Sequence, residues 1–189
     1  MESKLESKEF DDMTNENIFD QQFWKEAWDN DPNTQDKRMK RAGLGQPDAP
    51  GFEKWAENFN KNSFTEESQK RVKRIMSWIQ NQTGGFENLS ILDVGAASGV
   101  FSIPFSKESA KVTSLEPSSI LHGMLKDNAQ HYGVEIETIN ESFENIETTV
   151  IKKFDLVFAS MCPAVTTWEA VEKAIDIAHQ YVYVSLIAG

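Results

Sequence analysis

Short apolar runs alternate with amphipathic segments through the second half of the chain, a pattern typical of an α/β protein. The runs predict strands, and apolar residues spaced three or four positions apart between them predict helices. Parallel strands need long crossovers, so this alternation favours a doubly wound, mainly parallel sheet with helices on both faces. The predicted strands cover residues 89–94, 111–115, 134–139, 154–159 and 181–187.

The first 85 residues lack a strand pattern and predict a separate helical region. Residues 1–16 are polar and acidic without periodicity, and we expect a disordered tail. Residues 17–85 are expected to form a helical cap that contributes to a substrate region, and residues 86–189 the sheet domain. Within the cap, helices are predicted over residues 17–28, 52–60 and 65–82.

Local polar residues add detail to the helix predictions. Ser63 and Glu66 are expected to form a capping box at the start of the third predicted helix. The basic residues on that helix are most simply its solvent face, and Glu66 and Glu67 are spaced to pair with two of them. These basic residues are Lys70, Arg71, Lys73 and Arg74.

The most informative stretch joins the first predicted strand to a helix, with the sequence Ile-Leu-Asp-Val-Gly-Ala-Ala-Ser-Gly over residues 91–99. Gly95 and Gly99 permit a sharp turn and a close approach of a ligand to the backbone. The helix that follows offers unpaired N–H groups at its positive end. This form predicts a nucleotide-binding turn, although such a turn can also be purely structural.

An acidic residue, Glu116, ends the second predicted strand, about twenty residues after the glycine turn. A carboxylate at this spacing suits the two hydroxyl groups of a ribose. The alternative is that Glu116 only stabilises the positive end of the next helix. The ribose interpretation is favoured by the spacing.

The turn resembles motif I of the class I S-adenosylmethionine-dependent methyltransferases, D/E-x-G-x-G-x-G. Here it reads Asp93-x-Gly95-x-Ala97-x-Gly99, with alanine in place of the middle glycine. The sequence Glu-Pro-Ser at 116–118 is similar to motif II, and Phe-Asp-Leu-Val at 154–157 is typical of the strand beside motif I. The resemblance implies a Rossmann-like methyltransferase fold with about five strands present.

The resemblance also implies a cofactor, S-adenosyl-L-methionine, with S-adenosyl-L-homocysteine as the product. In the family the loop after the third strand holds the adenine, which points to Glu141 or Ser142 with Phe143. The residues that the resemblance assigns to cofactor binding are Asp93, Gly95, Ala96, Ala97, Gly99, Glu116, Pro117, Glu141, Ser142, Phe143, Ala159 and Ser160.

By the same resemblance, the methyl acceptor would be a small molecule. Trp55 and Phe59 belong to a segment that shapes the substrate pocket in such enzymes, and Met161 and Cys162 follow the fourth strand. Cys162 has no apparent partner base and is expected to line the pocket, not to act as a nucleophile. The sequence identifies no catalytic residue.

Composition restricts the other possibilities. A net charge of −11 disfavours general nucleic-acid binding, although a basic cluster at 36–41 could contact an anionic substrate or simply be solvated. No apolar run is long enough to span a membrane. The single cysteine fits a cytoplasmic location. The three histidines, His122, His131 and His179, have no metal-ligand spacing, so we expect no metal site.

The family fold continues beyond five strands, through another helix and a two-stranded hairpin that this sequence does not show. We therefore expect an exposed sheet edge that a partner or a second copy would cover. This expectation keeps a second function open, a non-catalytic cofactor-binding or regulatory subunit derived from a methyltransferase. A nicotinamide-dependent dehydrogenase fits poorly, because Ala97 and Val100 stand where its motif needs glycine.

Overall fold

A strand that is buried on both faces lies at the middle of the molecule. Strand β1 (Ser90–Val94) has apolar side chains at three of its five positions, and residues 91–94 are all buried. Consecutive apolar residues favour a strand covered on both sides, as parallel sheets require. In the computed structural model, which describes residues 20–32, 35–41, 52–148 and 151–186, this strand pairs with a parallel neighbour on each side.

The sheet has five parallel strands in the order β3-β2-β1-β4-β5. The chain first adds strands on one side of β1 (β2 and β3) and then on the other side (β4 and β5). The order of strands therefore reverses between β1 and β4, and ligands of open α/β sheets bind at such a point. This confirms the predicted doubly wound α/β fold. The remaining strands are β2 (Lys111–Leu115), β3 (Glu137–Ile139), β4 (Phe154–Ser160) and β5 (Ala178–Ser185).

Helices cover both faces of this sheet and also form the upstream region. Seven α-helices lie in the described part of the chain, together with a 3₁₀ turn at Phe143–Asn145. They are α1 (Gln21–Asn30), α2 (Gln35–Arg41), α3 (Phe52–Ser63), α4 (Glu66–Thr83), α5 (Ser102–Lys107), α6 (Ser119–Tyr132) and α7 (Trp168–Ile177).

Two apolar clusters hold the layers together. Helices α4 and α5 pack on one face of the sheet, where Phe158 contacts Phe101, Phe105 and Tyr183. Helix α7 packs on the opposite face against side chains of β1 and β4. Alternate residues of β1 enter alternate clusters, Ile91 the first and the following leucine the second, as the two-residue period of a strand requires.

The upstream helices are attached to the sheet domain by specific contacts. Helix α3 packs on α6 through Phe52, Ala56 and Leu121. The amide of Asn128 on α6 donates to the side-chain oxygen of Asn60 on α3 at 2.8 Å. Helix α3 is therefore held beside the carboxyl end of β1, where the glycine turn begins.

Several predicted boundaries were wrong. Strand β3 begins at Glu137 and not at Val134, because Val134 N–H closes the end of α6 by donating to the Ala129 carbonyl. Strand β5 begins at Ala178, which pairs with Phe154. The helix predicted to start near the glycine turn begins only at Ser102.

The predicted capping box of Ser63 and Glu66 was also wrong. Thr65 caps α4 by accepting from Ser68 N–H, because α3 continues through Ser63 and the Ser63 hydroxyl donates to the Phe59 carbonyl. Thr167 caps α7 by accepting from Ala170 N–H.

Two exposed apolar side chains lie on α7 and on an edge strand of the sheet. Ile175 is 55% exposed, because α7 packs through Ala174 and Ile177. On β5, the outermost strand of the sheet, Val182 is also exposed. A partner at this edge stays a prediction. The tail at 1–16 lies outside the described residues.

Two glycines of α6 and its cap test how backbone conformation, separated from packing, affects stability. An added Cβ would meet no atom within 4 Å at either Gly123 or Gly133, but Gly133 has a φ of +66°. We expect Gly123→Ala to stabilise the protein by about 0.5–1 kcal/mol, because alanine favours helix. Gly133→Ala should destabilise it by about 1 kcal/mol, because alanine is strained in the left-handed region.

Urea unfolding of both variants, followed by circular dichroism, measures the two changes in the free energy of unfolding. A change of the same sign at both positions would contradict the assigned conformations.

Candidate functional site

The glycine turn after β1 is held by hydrogen bonds to the end of β2. The N–H groups of Gly95 and Ala96 both donate to the Leu115 carbonyl, at 2.9 and 3.0 Å. The N–H of Gly99 donates back to the Ala96 carbonyl at 2.9 Å and closes the turn. The backbone therefore leaves the sheet at a fixed angle and forms one wall of a cavity.

Gly95 is required by space as well as by conformation. Its φ is +68°, and a Cβ at this position would lie 2.4 Å from the sulfur of Cys162. The Cys162 side chain, which follows β4, thus packs directly over the turn. Absence of a side chain at 95 allows these two loops to approach each other.

Two residues other than glycine adopt left-handed backbone conformations in the cavity wall. Ala97 has a φ of +49° and Met161 a φ of +57°. Each costs of order 1 kcal/mol relative to an ordinary conformation, and such strain is often found at functional sites. Ala97 stands where the motif usually has glycine, and its side chain packs against the cluster of Phe52, Ala56 and Leu121.

The side chain of Glu116 makes hydrogen bonds both to the glycine turn and to the start of α6. Its carboxylate accepts from the N–H of Ala97 at 2.8 Å and from the N–H of Ser118 at 2.9 Å. Only 5% of the residue is exposed, and it lines the cavity. A carboxylate has about four lone-pair sites, so these two bonds do not by themselves exhaust its acceptor capacity.

Asp93, near the end of β1, belongs to a buried chain of hydroxyl groups. The Ser102 hydroxyl donates to its carboxylate at 2.5 Å and is itself 2.7 Å from the Ser114 hydroxyl. Burial, opposed by the Ser102 hydrogen bond and aided by the negative charge of Glu116, raises the pKa of Asp93 to about 7. The carboxyl group is therefore poised to change its charge near neutral pH.

These groups surround a cavity of about 340 Å³ at the carboxyl end of the sheet. That size lies within the range of about 300–1,000 Å³ found for small-molecule sites. The cavity wall is mostly apolar and contains two carboxyl groups and two cationic side chains. Of the predicted site residues, those in the wall are Asp93, Gly95, Ala96, Ala97, Glu116, Pro117, Phe143, Ser160, Trp55, Phe59, Met161 and Cys162.

An aromatic row from α3 forms one side of the cavity. The rings of Trp55 and Phe59 stack with centroids 5.2 Å apart, and Phe52 lies 5.1 Å from Trp55. Their spacing along α3 places them on one face, which is turned toward the glycine turn. This side of the cavity offers flat apolar surface to a ligand.

Two cationic residues also line the cavity, and sequence reasoning did not place Arg71 there. Arg71 is exposed on α4, as expected, yet its guanidinium also donates to the Ser160 hydroxyl at 3.2 Å and lines the cavity. Glu67, expected to pair with Arg71, is bound to Lys70 instead. Lys40 on α2 also lines the cavity, so one residue of the basic cluster does face it.

A sequence signal for Arg71 exists. Helix α4 leads directly into β1, so its first turns lie near the carboxyl end of the sheet when the two pack antiparallel. Arg71 directly precedes Val72, the first residue of the buried stripe, and therefore borders the sheet face.

Only one of the three residues predicted to hold the adenine lines the cavity. Phe143 is buried and lines the cavity, whereas Glu141 and Ser142 lie outside the wall. The Glu141 carboxylate accepts from Ser142 N–H and the Asn145 amide. The ammonium of Lys173 donates to the Phe143 carbonyl at 2.6 Å and fixes this loop against α7.

Gly99 and Ala159 also lie outside the cavity wall. Gly99 has a φ of +89°, and a Cβ there would lie 3.1 Å from the side chain of Ile103. Ala159 is buried within the core. A part in cofactor binding for these two residues, and for Glu141 and Ser142, stays a prediction.

Covalent and metal chemistry have little support in the described residues. Burial raises the pKa of the Cys162 thiol to about 12, which disfavours the nucleophilic thiolate. Across the ranges that the structure describes, no group of three or more histidine, cysteine, aspartate or glutamate side chains is arranged to hold a metal ion. No described helix is long and apolar enough to cross a membrane.

Comparisons with known proteins agree with this geometry. Residues 91–182 match a family described as a methyltransferase domain. The magnesium protoporphyrin IX methyltransferase of Synechocystis PCC 6803, crystallised with bound SAM, superposes with a TM-score of 0.58 at 19% identity. That match covers 79% of this chain and 74% of the other.

A second solved structure is the plantazolicin methyltransferase BpumL in complex with a pentazolic desmethylPZN analog and SAH. It gives a TM-score of 0.63 at 15% identity, with 85% of this chain and 60% of BpumL covered. At these identities the structures show a shared fold. No curated protein matches the sequence at a significant level.

The contact between Gly95 and Cys162 yields a first prediction for the site. Gly95→Ala should destabilise the protein by about 2–4 kcal/mol, because the new Cβ collides with a buried sulfur in addition to backbone strain. Gly84→Ala is a matched control, since Gly84 has a φ of +79° but open space around it. The free energy of unfolding in urea measures both.

Adding Cys162→Ala to Gly95→Ala should recover part of the loss, because the nearest sulfur is removed. Equal destabilisation by Gly95→Ala and Gly84→Ala would contradict the collision.

The raised pKa of Asp93 predicts a pH dependence of stability. The folded carboxyl group binds its proton more tightly than the unfolded one, whose ordinary pKa is 3.8. This contribution is therefore complete below pH 4 and is lost as pH rises through 7. Relative to Asp93→Asn, the wild type should lose up to about 4 kcal/mol of unfolding free energy between pH 4 and 8.

Denaturant unfolding of both proteins across this pH range measures the difference. Asp155→Asn serves as the control. Hydrogen bonds from Ser90 lower the pKa of Asp155, so the contribution of this residue to stability changes with pH only below about pH 4. A wild-type-minus-Asp93→Asn difference that does not vary from pH 5 to 8 would contradict the assignment.

Proposed function

We propose that the chain, whose residues 91–182 match a methyltransferase domain, is a class I S-adenosylmethionine-dependent methyltransferase and transfers a methyl group from this cofactor to a small molecule. The proposal rests chiefly on one observation. The cavity at the end of β1 combines the glycine turn with a buried carboxylate, Glu116, at the end of the neighbouring strand. A turn and an acid in this arrangement suit a nucleoside.

The residues present fit S-adenosylmethionine well. Glu116 would accept hydrogen bonds from the ribose hydroxyls, and Phe143 would contact the adenine ring. The backbone at Gly95 and Ala97 would lie along the methionine portion, because no long side chain intervenes there. The carboxylate of Asp93 would attract the positively charged amino group of the cofactor. That positive charge would in turn keep the carboxylate ionised. Binding of SAM or SAH in the two matched crystal structures supports this assignment.

The cofactor supplies an electrophilic methyl group on a sulfonium, so the protein mainly has to bind and orient the acceptor. The aromatic row of α3 and the loop at Met161 and Cys162 would form the acceptor side of the cavity. Their apolar surfaces exclude water from the place where a nucleophile must approach in line. We assign no general base, and the raised pKa of Cys162 argues against a covalent intermediate on sulfur.

A small acceptor is favoured by the dimensions of the cavity. Helix α3 closes one side, so the cofactor and the acceptor would have to share a cavity of about 340 Å³. The two matched crystal structures are a magnesium protoporphyrin IX methyltransferase and a plantazolicin methyltransferase, and neither name refers to a nucleic acid. Nothing in these matches favours the non-catalytic subunit considered from the sequence.

Calorimetric titration with S-adenosylhomocysteine tests the cofactor proposal. We expect the wild type to bind with a micromolar dissociation constant and Glu116→Gln to bind at least tenfold more weakly, a loss of about 1.4 kcal/mol. The physical reason is that an amide is a weaker acceptor for the ribose hydroxyls. Glu87→Gln, an exposed site outside the cavity, is the matched control.

A folded wild type that fails to bind would overturn the proposal, and unchanged binding by Glu116→Gln would overturn the role of that residue. Transfer itself is measured by mass spectrometry, as S-adenosylhomocysteine released from S-adenosylmethionine in the presence of candidate acceptors.

A further inference from the structure

Arg71 is placed in the cavity by a contact between distant parts of the fold. It lies in the second turn of α4, and its Nη2 atom donates to the Ser160 hydroxyl at the end of β4. That hydroxyl is in turn 3.2 Å from the hydroxyl of Ser185 on β5. The guanidinium group is therefore held at the carboxyl end of the sheet, where it lines the cavity while the residue stays exposed to solvent.

The chemistry of this group favours an anion. A guanidinium has five N–H donors in a rigid plane, and the bond to Ser160 uses one of them. Such a fork matches the two oxygens of a carboxylate. The arginine also stands out electrostatically, because the chain carries a net charge of −11 and the same cavity contains two carboxyl groups.

We propose that Arg71, oriented by Ser160, binds a carboxylate of the molecules that occupy the cavity. This inference rests on the proposed function, which defines those molecules. The carboxylate has two possible sources, the amino-acid end of the cofactor and the methyl acceptor. Both present the same chemistry to Arg71, and they differ in which ligand responds when the arginine is removed.

The first experiment compares two ligands that share an adenosine and a thioether. S-adenosylhomocysteine has a carboxylate, whereas 5′-methylthioadenosine lacks the whole amino-acid end. Both are titrated by calorimetry into the wild type, Arg71→Met and Arg74→Met. Arg74 is the matched control, because it is exposed on the same helix and does not line the cavity.

If the cofactor is the source, Arg71→Met weakens S-adenosylhomocysteine at least tenfold and leaves 5′-methylthioadenosine unchanged. Arg71→Lys should recover only part of the loss, because a single ammonium cannot make the paired bonds of a guanidinium. Ser160→Ala should show a smaller loss in the same direction. Arg74→Met should bind both ligands as the wild type does.

If the acceptor is the source, both adenosine ligands bind Arg71→Met normally. In that case a panel of aromatic carboxylic acids, each paired with its primary amide, is titrated by ligand-observed NMR in the presence of saturating S-adenosylhomocysteine. The wild type and Arg74→Met should prefer the acids, and Arg71→Met should lose this preference.

The inference is overturned if Arg71→Met behaves as the wild type toward every ligand pair. Failure of the proposed function has a different signature, because the folded wild type would then bind neither adenosine ligand. Melting temperatures of all variants show whether each one is folded before its titrations are compared.

Discussion

The hydrogen bonds between the end of β2 and the turn after β1 determine the geometry of the whole cavity. The Leu115 carbonyl accepts from two successive N–H groups of the turn, and the next residue, Glu116, accepts from a third through its side chain. One strand end thus fixes the other. Because the same carboxylate also accepts from Ser118 N–H, the start of α6 is fixed in the same frame.

Charge is arranged so that the acidic groups of the cavity are buried and restrained. Asp93 is enclosed with the Ser102 and Ser114 hydroxyls, and burial raises the pKa of its carboxyl group to about 7. Glu116 is buried as well, but its carboxylate accepts hydrogen bonds from two backbone N–H groups. Two carboxyl groups in one cavity therefore have different environments, a difference that suits a ligand with both hydroxyl groups and a positive charge.

The upstream helices complete the site from the outside. Helix α3 supplies an aromatic side through Trp55 and Phe59, and α4 supplies Arg71. Each is attached to the sheet domain by buried side chains, so these residues have a defined position relative to the turn. Under the proposed function, acceptor recognition and cofactor binding would be joined by this packing between the two regions.

Local sequence determined much of this protein, because the period of a strand, the period of a helix and the need for glycine in a tight turn are short-range effects. The order of strands and helices, the turn at Gly95 and the carboxylate at Glu116 follow from such patterns. Element boundaries followed less well. Thr65 and not Ser63 caps α4 because α3 extends further than its own pattern indicates.

Only the tertiary structure decided which side chains meet in the cavity. Arg71 and Ser160 are 89 positions apart in the chain, and no local pattern records their contact. Cys162 covers Gly95 for the same reason, because the two residues lie on loops far apart in the sequence. These arrangements depend on the packing of α4, β1 and β4 together, a long-range effect that the order of residues along the chain specifies only through the complete fold.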